Sequence, residues 1–339
     1  MKIRVGINGY GRIGRCVLRA VWERGLQNSL EIVAINEIAD LETMAYLTRY
    51  DSTHGRLPWS VGVSERALRV DGHTIAVSAI ASPSEIDWST HNIDMVLECS
   101  GMFSARATAA LHLGRSVNRV LFSQPADPDI DATVVYGINQ ATIQPHHQIV
   151  SAASCSTNCV VPVIDTLHRS LGVESGVITT IHSAMNDQPV LDAYHHTDLR
   201  KTRAAGHSII PVDTGLAAGI GRILPALDGC FEAQAMRVPT LNVSAIDLSV
   251  VVATNTTAAD VNALLKEAAD GPLLGILGYT SEPLASCDFI HDPRSGIVDA
   301  SQTRVSGRRL LKVLVWFDNE WGYANRMLDV ACYWAGLGR

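Results

Sequence analysis

The chemistry in this chain begins at Ser154-Cys155-Ser156-Thr157-Asn158-Cys159, where small polar residues around a thiol run into an apolar, helix-like stretch from Cys159 to Leu171. That order sets Cys155 at a helix N-terminus, where free backbone N–H groups and the positive end of the helix dipole favour thiolate over thiol. Ser and Asn also cap helices for structural reasons, so the run alone does not define a nucleophile. A partner is offered by Val177-Ile178-Thr179-Thr180-Ile181-His182-Ser183, a β-branched segment that reads as a strand ending at a histidine. A Cys and a His from different elements form the activated pair of covalent catalysis. A core histidine bonded to a carbonyl fits His182 alone equally well.

The N-terminus decides between these readings. An apolar run, Ile3 to Asn8, is followed by Gly9-Tyr10-Gly11-Arg12-Ile13-Gly14 and then by a helical pattern from Arg15 to Gly25. Strand, glycine turn and helix in that order make a dinucleotide fingerprint: one glycine for the tight turn, one to admit a pyrophosphate, one for close packing of helix on strand. The pyrophosphate would sit on the helix N-terminus. A second strand, Glu31 to Asn36, leads to Glu37, the acidic position roughly 20 residues beyond the glycines that binds the adenosine ribose. A carboxylate there repels a 2′-phosphate, so the expected cofactor is NAD rather than NADP.

A dinucleotide site upstream of a Cys/His pair points to oxidation of an aldehyde. Thiolate addition gives a hemithioacetal, whose oxygen can drive hydride onto a nicotinamide and leave a thioester. The backbone N–H of Cys155 and the imidazole of His182 are the expected stabilisers of that oxygen, with His182 also the general base. Arg237, at the end of the strand-like run Phe231 to Val238 and just before a proline, can fork onto phosphate oxygens; a surface salt bridge is the commoner fate of an arginine. Thr214 and Gly215 head another helix, Leu216 to Leu224, and offer a hydroxyl and free backbone donors.

With these residues in hand, the chain resembles the glyceraldehyde-3-phosphate dehydrogenase family over essentially its whole length. The motifs that carry the resemblance are Ile7-Asn8-Gly9-Tyr10-Gly11-Arg12-Ile13-Gly14-Arg15, Ala153-Ser154-Cys155-Ser156-Thr157-Asn158-Cys159, Arg237-Val238-Pro239-Thr240 and Asp318-Asn319-Glu320-Trp321-Gly322-Tyr323. The resemblance implies Cys155 as nucleophile and His182 as its activator. It implies an NAD site lined by Gly9, Gly11, Arg12, Ile13, Gly14 and Glu37, with Ser123 nearby and Asn319 on the nicotinamide carboxamide. It assigns Ser154, Ser156, Arg200, Thr214, Gly215 and Arg237 to a small phosphosugar aldehyde.

Departures from the family pattern indicate a branch. Where the glycolytic members carry a phosphate-binding threonine after the histidine, this chain has Met185, within His182-Ser183-Ala184-Met185-Asn186-Asp187-Gln188. Asp213, beside the expected anion pocket, would disfavour a second anion if it pointed inward. These features, with Asn36-Glu37, resemble the branch that oxidises erythrose 4-phosphate to 4-phosphoerythronate in vitamin B6 (pyridoxal phosphate) synthesis, with water as acyl acceptor. The alternative is phosphorylating glyceraldehyde-3-phosphate dehydrogenase; a third reading is an NAD-binding or redox-sensing protein without turnover. An arginine that often touches the adenine is replaced by Ile80-Ala81-Ser82-Pro83, and Phe122-Ser123-Gln124-Pro125-Ala126 also departs from the glycolytic form.

The elements that must position these residues read as two α/β domains: a doubly wound Rossmann domain over 1–153, a catalytic α+β domain with a mixed or antiparallel sheet over 154–317, and a C-terminal helix in 318–339 returning to the first. In the first half Ile93 to Cys99 and Arg119 to Phe122 read as strands and Ala105 to Leu113 as a helix, with a hairpin at Asp71-Gly72. The second half has longer strand-like runs, Val173 to Ser183, Phe231 to Val238, Val243 to Ala253 and Leu310 to Phe317, with a helix from Ala258 to Ala269.

Composition fits an enzyme core: 339 residues, 47% hydrophobic and 18% charged. A net charge of −7 with scattered Lys and Arg gives no nucleic-acid surface. No apolar run reaches membrane-spanning length and Met1-Lys2-Ile3-Arg4 enters a strand directly, so no membrane association is expected. Seven cysteines at irregular spacing are no disulfide framework, which points to the cytoplasm. Cys16, Cys99, Cys230, Cys287 and Cys332 read as small core residues, and Cys159, one helical turn after Cys155, as packed or as a resolving thiol. The pairs His146-His147 and His195-His196 lack any metal-ligand spacing, so no metal is expected. The polar connection Gln188 to Ile210 is long enough to be functional or an interface; the resemblance implies that it packs on a neighbour's NAD site in a homotetramer.

Overall fold

The computed structural model describes residues 2–114, 116–195 and 198–337; His196, set aside above as a metal ligand, lies outside them. Two compact units emerge, one holding the residues up to Ser154 together with those from Ala324 onward, the other Cys155–Tyr323.

In the first unit β1 (Ile3–Asn8), α1 (Arg12–Glu23), β2 (Leu30–Asn36), α2 (Leu41–Arg49), the short β3 (Tyr50–Asp51) and β4 (Gly55–Arg56), β5 (Val61–Ser64), β6 (Ala67–Val70) and β7 (His73–Ser78) follow one another. Then come β8 (Met95–Glu98), α3 (Arg106–Ala110), β9 (Arg119–Phe122), β10 (Ala132–Thr133) and β11 (Ile149–Ser151). The main sheet is nine-stranded, in the order β10-β11-β9-β8-β1-β2-β7-β6-β5. All pairs from β10 to β7 are parallel, and β6 and β5 extend the edge antiparallel. This is the expected doubly wound sheet. Its central strands bury both faces, with Ile7, Ile35, Leu97 and Leu121 at 1% exposure or less, each burial contributing about 1.5–3 kcal/mol. Asp71 and Gly72 both have positive φ, the geometry that a tight hairpin of right-handed twist requires.

The helix expected over Ala105 to Leu113 is shorter. Leu111 and His112 donate to carbonyls three residues back, at 3.1 Å each, so the last turn tightens and leaves the α-helix. The buried His112 ring is then held by Glu98 and Trp88.

The second unit opens with α4 (Cys155–Leu171), followed by β12 (Val173–His182), β13 (Ile210–Val212), α5 (Leu216–Ile223), β14 (Phe231–Arg237) and β15 (Ser244–Val252). It continues with α6 (Ala258–Asp270), β16 (Leu277–Thr280), β17 (Gly296–Ser306) and β18 (Leu310–Phe317); α7 (Trp321–Gly336) begins there and belongs to the first unit from Ala324. The seven-stranded sheet, β13-β14-β12-β15-β18-β17-β16, is mixed: β12/β14 and β16/β17 are parallel and the other pairs antiparallel. Helices α4 and α6 pack on each other and on this sheet. Period-two burial along β15 and β18 shows why: Ile246, Leu248, Val250, Val313 and Val315 are fully buried against them. A capping box of Thr257 and Asp260 starts α6.

Among the described residues no helix is long and apolar enough to cross a membrane. None of the seven cysteines is in a disulfide. Cys16, Cys99 and Cys159 are buried, but Cys230 and Cys332 are half-buried and Cys287 is exposed. Cys287 sits in a short 3-10 turn, Ser286–Phe289, that buries Phe289 instead.

Candidate active site

The glycine turn after β1 is shaped by contacts that leave no room for side chains. Gly9 has φ +85°, and a Cβ there would lie 2.4 Å from the Ser100 Cα; a Cβ on Gly14 would lie 2.4 Å from the Gly9 carbonyl oxygen. Gly11 differs, since a Cβ there would meet nothing within 4 Å. It is the N-cap of α1, which has no side-chain cap and no acidic residue in its first turn. The helix therefore keeps its N-terminal donors for an anion beside an open surface, and these residues fit the pyrophosphate of a dinucleotide.

Glu37 follows β2 and is half-buried. Its carboxylate accepts from the N–H groups of Tyr10 at 2.6 Å, Ile38 at 2.8 Å and Ala39 at 3.3 Å. That occupies three of about four acceptor positions and leaves one for a ribose hydroxyl. Arg12 forms an ion pair with Asp51 at 2.5 Å, which ties α1 to the β3–β4 hairpin. Burial alone would raise the Asp51 carboxyl, but the His54 N–H and the Arg12 guanidinium overcome it and hold it at about 2. Ile13 and Ser123 are half-buried, and the Ser123 N–H is bonded to the Glu98 carbonyl at 2.9 Å.

At the other candidate centre, strand register does the positioning. Parallel pairing sets His182 and Arg237 opposite each other at the carboxyl ends of β12 and β14. Cys155 opens α4, with Sγ 3.8 Å from His182 Nε2. Two residues earlier, buried Ala153 holds φ +58°, a left-handed conformation that disfavours a Cβ and marks a strained approach to the thiol.

His182 Nδ1 lies 2.8 Å from the Ser183 carbonyl oxygen and 3.0 Å from Arg237 NH1. The carbonyl can only accept, so Nδ1 carries the ring proton and Arg237 donates to that same carbonyl, at 3.4 Å, rather than to the ring. The Nε2 lone pair then faces the thiol. Burial, and after it the Arg237 charge, depress His182 to about 4, so the ring is neutral at pH 7.

The expectation of a depressed Cys155 pKa is corrected. Burial raises the thiol above its ordinary value, outweighing Ser156, whose side chain and N–H both act to lower it, and Arg237. With the imidazole neutral there is no adjacent imidazolium to hold a thiolate, so the resting pair is thiol and imidazole.

Arg237 has a buried Nε with no hydrogen-bond partner among the described residues. An open guanidinium donor near the thiol suits an anionic substrate group. Ser154 and Ser156 flank Cys155, both half-buried. Thr214 Oγ1 accepts from the Leu216 N–H at 3.3 Å, and Gly215 is the N-cap of α5, without a side-chain cap. A Cβ on Gly219 of α5 would lie 3.2 Å from Thr157 Oγ1, which brings the early turns of α5 and α4 together. Arg200 is exposed on a short 3-10 turn packed on β13, and its guanidinium has no ion pair among the described residues. Met185 is 44% exposed. Asp213 is exposed, so solvent screens the repulsion expected of it toward a second anion.

Sequence reading missed what holds Asn319. Its Oδ1 accepts from the hydroxyls of Ser183 at 2.9 Å and Ser244 at 2.8 Å, which turns its amide donors outward for a carbonyl ligand. The motif around it has a structural share, because Asp318 caps α7 through the N–H groups of Glu320 and Trp321 and accepts from His291 N–H. The available signal was polarity: Ser183 and Ser244 border apolar strands yet are fully buried.

A dinucleotide cradle and, in a second unit, a thiol beside a neutral imidazole are the equipment of a nicotinamide-dependent aldehyde oxidoreductase. Comparison with family models agrees. Residues 3–106 match the NAD-binding domain of glyceraldehyde 3-phosphate dehydrogenase and residues 154–319 its C-terminal domain. The chain belongs to the glyceraldehyde 3-phosphate dehydrogenase family; it is an NAD-dependent dehydrogenase.

Proposed function

We propose that the chain oxidises D-erythrose 4-phosphate to 4-phospho-D-erythronate, with water as acyl acceptor, and so serves pyridoxal phosphate synthesis. The observation that carries this reading is Met185: where the glycolytic branch is expected to offer a hydroxyl to the substrate phosphate, this chain exposes a thioether, so a phosphate-facing donor is lost.

In this reading His182 Nε2 takes the Cys155 proton as sulfur adds to the aldehyde carbon. Arg237, Thr214 and the α5 N-terminus hold the sugar phosphate, with Ser154, Ser156 and Arg200 as further contacts. The Cys155 N–H and the imidazole face the hemithioacetal oxygen. When bound, NAD supplies the hydride acceptor. The imidazolium returns the Cys155 proton to the hemithioacetal oxygen; the neutral ring takes it back as the thioester forms, sheds it to solvent, and then deprotonates the water that attacks the acyl carbon. Collapse breaks the carbon–sulfur bond and releases 4-phosphoerythronate, whose carboxyl proton passes to solvent, and the His182 imidazolium reprotonates the departing Cys155 thiolate to restore the resting pair. Gly9, Gly11, Arg12, Ile13, Gly14, Glu37, Ser123 and Asn319 are assigned to the cofactor.

We also read the protein as a cytoplasmic homotetramer subunit. Seven cysteines, none in a disulfide, support a reducing compartment. Val190, Leu191, Tyr194 and Leu199 are each at least 77% exposed in the Gln188–Ile210 connection, an apolar patch that suits a second copy.

The test is NADH formation from erythrose 4-phosphate and from glyceraldehyde 3-phosphate, each with and without inorganic phosphate. Phosphate-independent preference for the four-carbon sugar is expected; phosphate-dependent turnover of the three-carbon sugar would overturn the reading. Light scattering of the purified protein at micromolar concentration should give four times the chain mass, and a monomer would refute the assembly.

A further inference from the structure

The carboxyl ends of four neighbouring parallel strands in the first unit form a polar rung. Glu98 of β8, Asn8 of β1, Asn36 of β2 and Ser78 of β7 are successive register partners. Their side chains are bonded in a row. Asn8 Nδ2 donates to Glu98 Oε2 at 2.6 Å, Asn36 Nδ2 to Asn8 Oδ1 at 2.9 Å, and the Ser78 hydroxyl to Asn36 Oδ1 at 2.9 Å. Glu98, Asn8 and Asn36 are 1%, 4% and 4% exposed. The Ser100 N–H and hydroxyl occupy the other Glu98 oxygen. His112 Nδ1 accepts from Trp88 Nε1 at 3.1 Å, so its Nε2, 3.1 Å from Glu98, carries the ring proton and donates it.

A carboxylate only accepts. Asn8 must therefore turn its amide nitrogen to Glu98 and its oxygen to Asn36. Asn36 in turn must give its nitrogen to Asn8 and to the Ile80 carbonyl, and its oxygen to Ser78 and the Ile80 N–H. One acceptor-only group sets the direction of every amide in the row. The next residues along these strands are Gly9 and Glu37, walls of the dinucleotide cradle, and Ser100 abuts Gly9. Backbone bonds cross between the same strand ends: Gly9 N–H to Asn36 O, Cys99 N–H to Asn8 O and Glu37 N–H to Ser78 O.

We infer that Glu98 is a positioning residue for the dinucleotide: its carboxylate fixes the polarity of the rung and so holds the Gly9, Glu37 and Ser100 loops in the geometry that receives NAD. In Glu98→Gln an amide nitrogen must face either the Asn8 and His112 donors or the Ser100 donors. Calorimetric titration of that variant should show NAD binding weakened at least about tenfold, and the KM for NAD should rise by a similar factor while kcat falls less. Adding Asn8→Asp moves the acceptor-only group one strand over and relieves the clash at Asn8, though not that at His112, so the double variant should recover part of the affinity. NAD affinity within twofold of the parent in Glu98→Gln, or no recovery in the double variant, would overturn the inference. Should Glu98→Gln fail to fold, Asn36→Asp puts an acceptor where the row requires a donor; it should lose NAD affinity likewise, and parent-like binding there would equally refute the proposal. Iodoacetamide alkylation of Cys155 without NAD should proceed at the parent rate, which separates a local effect on the cradle from general damage.

Discussion

The glycine turn of the dinucleotide cradle is one short stretch, Gly9 to Gly14, that works through backbone donors and missing side chains. At the thiol site, Cys155, His182 and Arg237 come from three separate elements and work through side chains whose spacing is set by β12/β14 pairing and the start of α4. The first plan tolerates no added atoms. The second tolerates no lost ones. A local motif can hold a large, common ligand, whereas a reacting centre needs groups of different chemistry to converge from distant parts of the chain.

Substitutions should separate the two plans. Cys155→Ala removes the nucleophile, so NADH formation from erythrose 4-phosphate should fall by about 10⁴-fold or more, while calorimetric NAD affinity stays at the parent value. Residual turnover above a few per cent would break the assignment of the covalent step. His182→Ala should lower kcat about 10²- to 10⁴-fold, again without moving NAD affinity; a loss confined to KM would make His182 a binding residue only.

Arg237→Leu tests both substrate and base. Losing hydrogen bonds to a charged group should raise the KM for phosphosugar about 10- to 100-fold. Arg237 helps depress His182, so its removal should raise the His182 pKa from about 4, though burial keeps it below the ordinary value of 6.5. A base must be neutral to act, so the acid limb of the kcat/KM profile should move to higher pH. A shift to lower pH would contradict the geometry.

Gly11→Ala should keep stability within about 1 kcal/mol, the scale of an N-cap change, because its Cβ meets nothing in the protein. NAD affinity should nevertheless drop at least about tenfold, as the methyl takes the ligand's space; unchanged affinity would move the pyrophosphate elsewhere. The smallest effect concerns the resting thiol. Burial raises Cys155, so the iodoacetamide rate without cofactor should climb steadily from pH 6 to 8, whereas a plateau below pH 7 would reveal a thiolate–imidazolium pair.

The same contrast explains what was legible in the sequence. The cradle was readable because its rules are local: an apolar strand, three glycines and a helix without an acidic first turn. The parallel sheet followed from alternating apolar runs, and β1, β9, β18 and the Asp71-Gly72 hairpin fall where those runs predict. At the thiol site residue types were readable but pairings were not. Nothing in Phe231 to Val238 says that it runs parallel to β12, the pairing that sets Arg237 beside His182. The sign of the Cys155 shift was equally hidden, since it depends on how much protein surrounds the sulfur. The polar rung escaped notice although β1, β2 and β8 each close an apolar run with Asn, Asn and Glu.

The parallel pairing of β12 with β14 also bears on how this chain can change in length. The connection between the two strands, from Ser183 to Cys230, is free to gain or lose residues in its exposed parts without touching the His182/Arg237 rung. A single insertion inside either strand is another matter. It would rotate every later side chain to the opposite face, sending the imidazole or the guanidinium away from the thiol while leaving the sheet itself intact. Insertions and deletions that keep the His182/Arg237 rung should therefore spare Gly176 to His182 and Phe231 to Arg237.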